Sequence, residues 1–284
     1  MAVAPLALLF VLVGQQPPHL ESNPVYRMLI NEGIFENQSP GKLPTPTMAD
    51  GLSRAEQRAI IDKLSRHDFA TLTRKSVVAP HIVDIHKVDS GDPDRPLQSI
   101  EFWFIAHASL DAMSDKEFLD SLLTAEDSEG ETLDAEALKA RGIEIVDKER
   151  ESYGQIIFPL LKKVRLHATG RSYWSRTKES ILTAAIVDPR FRKDDKFSNQ
   201  WQPLDREGRA GPAESYTGAG LYMKITNLQQ PAGTVFVECH IRGVEPKGWF
   251  GGVNLLASKL PPAIQNQVRS VRRSMMKAKD DKKE

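Results

Sequence analysis

Two alternating apolar runs, residues 220–227 and 233–242, flank the turn Gln229-Gln-Pro-Ala-Gly233 and lead into a long amphipathic segment. A period of two on both sides of a Gly- and Pro-containing turn is the pattern of a β-hairpin. Leu221, Met223 and Ile225 fall on one face with Val235, Val237, Cys239 and Ile241. Tyr222, Lys224, Thr226, Phe236, Glu238, His240 and Arg242 fall on the other, which reads as a solvated face. Downstream, Leu256, Leu260, Ile264, Val268, Val271 and Met275 recur at intervals of three and four, the stripe of a helix that must bury one side. Pro261 and Pro262 fit only a first helical turn, so the regular helix is expected to start there. A hairpin with a helix laid across it limits the fold to sheet-and-helix architectures.

Earlier segments supply more sheet. Residues 76–88 and 97–110 read as strands joined by the turn formers Asp89-Ser-Gly-Asp-Pro-Asp-Arg-Pro96. In the second, Ile100, Phe102, Phe104, Ala106 and Ala108 share a core face, and Glu101, Trp103, Ile105 and His107 share the other. Residues 143–187 return to β patterning, with a bend expected at Gly170. Ser53 with Glu56 forms a capping box that predicts a helix over 54–66, and Ser114 and Asp134 open two further short helices. Residues 188–215, polar and rich in Arg and Asp, read as a long loop.

Three other segments complete the expected organisation. Residues 1–16 carry the eight-residue apolar run from Leu6 to Val13, too short to span a bilayer but fitted to a signal-peptide core, which implies export to a periplasm or outside the cell. Met48 offers an internal start as the alternative. Residues 17–52 hold Pro17, Pro18, Pro24, Pro40, Pro44 and Pro46 and read as an extended lead-in with one short helix inside 23–35. Residues 53–276 form the single domain, and 277–284 a charged tail.

Composition excludes some functions. The 38 basic and 38 acidic residues cancel, so no overall field draws the chain to nucleic acid. Cys239 is the only cysteine, which rules out an intrachain disulfide and a cysteine-based metal cluster; it reads as a core residue. No Gly-rich phosphate loop, nucleophile elbow or His-Glu-x-x-His is present, so no cofactor and no metal are expected.

The inventory of about six strands, short central helices and one long C-terminal helix is that of an α+β helix-grip fold. Val244-Glu-Pro-Lys-Gly-Trp249-Phe-Gly-Gly-Val-Asn254-Leu-Leu, followed by Leu260-Pro-Pro and Val268-Arg-Ser-Val-Arg272, resembles the end of a START-type lipid-binding domain. The resemblance lies mainly in residues 221–276. It implies a curved antiparallel sheet gripping the C-terminal helix, with a lipid or other apolar small molecule between them and no catalysis. The ligand-facing residues would be Phe102, Phe104, Leu166, Met223, Val237, Ile264 and Val268. A basic helix end at Arg269, Arg272 and Arg273 would meet an anionic membrane surface.

Two other readings stay open. An enzyme on the same fold, cyclase- or hydrolase-like, would draw an acid–base pair from Asp84, His86 or His107. Asp84 and His86 share a strand face, whereas His81 and His86, five apart, do not. His107 with Glu101, and His240 with Glu238, read as exposed cross-strand partners rather than as a site. The last reading is an interaction protein whose core is filled by its own side chains.

Overall fold

The computed structural model describes residues 22–35, 41–92, 96–114, 128–250 and 255–280. The expected signal peptide, the residues after Ser114 that were expected to be helical, and the last four residues lie outside them. The strands are β1 (Ile82–Val88), β2 (Leu97–Ala106), β3 (Glu129–Thr132), β4 (Glu151–Leu160), β5 (Val164–Arg176), β6 (Ser180–Val187), β7 (Gln200–Pro203), β8 (Glu214–Ser215), β9 (Ala219–Leu228) and β10 (Thr234–Val244). They form one antiparallel sheet in the order β1-β2-β10-β9-β6-β5-β4-β3, with β7 added on β5 and β8 on β7. Among the described residues the sheet has ten strands rather than about six. β3, β7 and β8 have two to four residues each, too few for alternation to show in a sequence.

Among the described residues six α-helices accompany the sheet: α1 (Pro24–Asn31), α2 (Arg54–Leu64), α3 (Phe69–Leu72), α4 (Leu110–Met113), α5 (Ala135–Lys139) and α6 (Leu255–Asp280). Helix α2 starts at the expected capping box: Ser53 accepts from the Glu56 N–H, and the Glu56 carboxylate accepts from the Ser53 N–H at 2.8 Å. Helix α6 starts earlier than its prolines imply. Leu255, Leu256 and Leu260 pack into the apolar cluster at one end of the sheet, and that packing extends the helix through Pro261 and Pro262. Residues 188–215 are likewise more ordered than a loop. A 3₁₀ turn at Pro189–Lys193 and strands β7 and β8 interrupt them, pinned by buried Phe191, Phe197, Asn199 and Trp201.

The larger correction concerns the N-terminal segment. Residues 22–35 and 41–52 are not merely an extended lead-in, because Val25, Tyr26, Leu29 and Met48 are fully buried against the sheet. Helix α1 approaches β9 so closely that a Cβ at Gly220 would run into Leu29 and Ile34. A chain starting at Met48 would lose α1 and its share of the core. This segment and α2 cover the sheet face opposite α6, so both faces of the central strands are buried. Along β9 and β10 the burial is almost unbroken, and the face expected to be solvated holds Lys224 and Glu238 at 0 % exposure and His240 at 2 %.

Among the described residues, no helix is long and apolar enough to cross a membrane.

Candidate ligand-binding site

The face under α6 is apolar. Phe104, Met223, Ile225, Val235, Val237 and Cys239 come from the sheet, and Val268, Val271 and Met275 from the helix; Phe102, Ile241 and Ile264 are half-buried at the edge. Alternation aims these sheet residues one way, and the three-four spacing aims the helical ones back at them. Fully burying each Val, Met or Phe here contributes about 1.5–3 kcal/mol. Six of the seven expected ligand-facing residues, Phe102, Phe104, Met223, Val237, Ile264 and Val268, therefore share one layer. Leu166 does not: it packs in the separate cluster that contains Trp201 and Trp249. Cys239 lies inside the layer, and burial pushes its thiol up to about 12, which makes it a small core side chain rather than a nucleophile.

One charged residue enters from the helix. Arg272 is buried, and its guanidinium donates from Nε to the Ile105 carbonyl at 2.9 Å, from Nη2 to the Pro80 carbonyl at 2.9 Å, and from Nη1 to the Ala79 carbonyl. It also lies 5.8 Å from the Phe104 ring centroid. Burial lowers its pKa to about 10. Arg272 thus clamps α6 to β2 and to the segment before β1, and it is not a membrane-facing residue as the sequence implied. Arg273 is exposed and Arg269 half-buried.

Two hollows among the described residues lie outside the middle of this layer. One, of about 10 Å³, is lined by Ser76, Ile105, His107, Arg272 and Met276 at the helix margin. The other is an open groove of about 180 Å³ at the β4–β5 hairpin, lined by Ile157, Phe158, Pro159, Arg165 and neighbours.

The opposite face is built differently. Glu238 accepts from the Thr47 N–H at 2.7 Å and the Met48 N–H at 3.2 Å, while Lys224 donates to the Met48 carbonyl and pairs with Asp50 at 2.9 Å. Tyr222 donates to the Pro44 carbonyl at 2.8 Å, and Trp103 Nε1 to Thr47 Oγ1 at 3.2 Å. Sheet side chains thereby bind the backbone of residues 44–50 as a strap. His240 lies between two carboxylates: Nε2 is 3.4 Å from Glu238, and Nδ1 is 3.2 Å from Glu101 at ion-pair range without hydrogen-bond alignment. Burial alone would lower the His240 pKa, but the two carboxylates outweigh it and hold it above the ordinary value. The same His240 contact, ahead of the cost of burial, holds Glu101 below the usual carboxylate range.

Sequence reasoning missed this network because Lys224 directly opposes Glu238 in the hairpin register. A charged pair facing across two strands has the signature of a solvated face. The one sign of a cover was the strap itself, the Pro- and Thr-containing run from Pro44 to Thr47.

The remaining acid–base candidates do not converge. Asp84 and His86 pair at 3.3 Å, as their shared face allows, but both side chains are about half exposed on edge strand β1. His107 is bound through Nε2 to the Thr73 carbonyl at 2.8 Å. His86 faces Ser99 across the strands, eight residues before His107, or roughly 26 Å at the usual rise per residue. Among the described residues no three His, Cys, Asp or Glu side chains group as a metal ion would require.

No family model matches the chain, and no curated protein does. Among solved structures, the human StarD13 (DLC2) lipid transfer and protein localization domain is similar over 70% of this chain and 86% of that one, with 13% identity and a TM-score of 0.41. The structure of human STARD10 is similar over 82% of this chain and 84% of that one, with 11% identity and a TM-score of 0.38. Both likenesses are distant.

Proposed function

We propose that the chain is a non-enzymatic binding protein that holds a lipid or other apolar small molecule between α6 and the sheet. The observation that supports this is the continuous apolar layer of Phe102, Phe104, Met223 and Val237, closed by a helix rather than by a strand. A helix on a sheet is held by non-directional burial and can lift without breaking a backbone ladder. Its two ends are held unequally. Val268, Val271, Arg272 and Met275 are buried, whereas in the first part Leu256 alone is buried, Leu255, Leu260 and Ile264 are half-buried, and Pro261 and Pro262 interrupt the helical hydrogen bonds. The ligand enters by displacing the first part of α6 while Arg272 holds the rest. In the same reading the run from Leu6 to Val13 exports the protein, and Arg273 with Arg269 contacts an anionic membrane during exchange.

Mass spectrometry of the purified full chain under mild conditions, followed by solvent extraction, tests this. A retained apolar ligand, or a melting temperature raised by a lipid panel, is the expected outcome. The burial of the layer's own side chains favours a second reading, an interaction protein with a closed core. An empty protein whose melting temperature no lipid shifts would establish that reading and end the carrier proposal.

A further inference from the structure

Resting on the binding reading above, we infer that the ligand is an anionic amphiphile, its negatively charged oxygen head placed at Arg272 and its hydrocarbon chain running past Phe104 into the layer under α6. Arg272 is 4 % exposed, yet its hydrogen bonds run to three backbone carbonyls, Ile105, Ala79 and Pro80. Carbonyls satisfy donor geometry but carry no net charge to balance a buried cation. A guanidinium offers five N–H donors, so two are left beyond those three bonds.

The surroundings add positive charge rather than cancel it. Arg269, one turn earlier on α6, is half-buried nearby and supplies that charge; His81, next to Pro80, is half-buried too but adds none near pH 7. Burial, then Arg272 and Arg269, hold His81 below its ordinary pKa, and burial is the cause that lowers Arg272. Asp84, the nearest acid along β1, turns to the exposed side and pairs with His86. Among the described residues the site is therefore cationic without a facing carboxylate. The hollow of about 10 Å³ that opens on Arg272 beside Ser76 and His107 has room for one oxygen-sized group. On its other side the guanidinium faces the Phe104 ring, where the apolar layer begins. A polar end and an apolar run meeting at one side chain match a molecule of the same construction.

The test compares four probes of equal chain length on the full chain: hexadecanoate, hexadecyl phosphate, hexadecanol and hexadecyltrimethylammonium, each competing with a fluorescent lipid. The two anions are expected to bind at least about tenfold more tightly than the alcohol, a difference of about 1.4 kcal/mol, with the cation weakest. The ratio of carboxylate to phosphate binding separates the two head types. Arg272→Gln should abolish the preference. If that variant does not fold, Arg269→Gln, which breaks none of the carbonyl bonds, should still reduce the preference several-fold. Equal binding of acid and alcohol by the unaltered protein overturns the inference and leaves the binding reading standing; binding of none of the four removes the binding reading as well.

Discussion

The two faces of the central hairpin are buried to the same degree by opposite means. Under α6, Met223, Val237 and Cys239 meet Val268 and Val271 through apolar contact that has no preferred direction. Under the N-terminal strap, Glu238, Lys224, Tyr222 and Trp103 each hold a named group of residues 44–50. Apolar layers tolerate repacking and opening at modest cost, whereas a buried charged network loses heavily when any member is left alone. The difference assigns the two faces different work. In the binding reading proposed above, the strap fixes one side of the sheet and the helix on the other is the part that moves.

The largest expected effect comes from breaking the fixed side. Glu238→Ala strands His240 without one carboxylate and frees the Thr47 and Met48 N–H groups, and it should destabilise by about 3–5 kcal/mol in urea unfolding. A residue on the other face should tell the opposite story: Met223→Leu, nearly conserving volume, should cost less than about 1.5 kcal/mol. If both faces respond alike, the contrast between them is wrong.

A pH titration sharpens the comparison further. His240 is raised, so its contribution is fully present below its unfolded pKa, near 6.5, and is lost as pH rises through the higher folded value. Glu101 is lowered, so its contribution is present above its unfolded pKa and is lost as pH falls through the folded one. Stability measured by chemical unfolding should therefore decline on both sides of a plateau, and His240→Phe should remove the alkaline decline. Altering the α6 layer, for instance by Met223→Leu, should leave the profile unchanged. The smallest effect is expected at the rim of the strap: Ser53→Ala removes the α2 cap and should cost about 1 kcal/mol by thermal melting, with no change in ligand binding.

Much of the apolar side was readable in the sequence, because alternation in β9 and β10 and the three-four spacing in α6 follow directly from side-chain geometry. The capping box at Ser53 was equally plain, since its two hydrogen bonds are local. The polar side was not. Lys224 and Glu238 have the spacing of residues in water, and what covers them lies about 180 residues away in the chain, beyond the reach of any local pattern. Pro261 and Pro262 misplaced the start of α6 for a related reason: the packing of Leu255 and Leu256 on the sheet end outweighs a local preference. Among the expected site residues, those on the hairpin, on β2 and on α6 fell together because they share one alternation, and Leu166 fell elsewhere because β5 continues past the layer into the cluster with Trp201.

Hydrogen exchange on the full chain, with and without a saturating long-chain amphiphile, tests the central claim most directly. The account predicts that amides of residues 255–264 change their protection on binding while those of residues 41–50 do not. Unchanged exchange along α6 despite bound ligand, or a response confined to the strap, would contradict it.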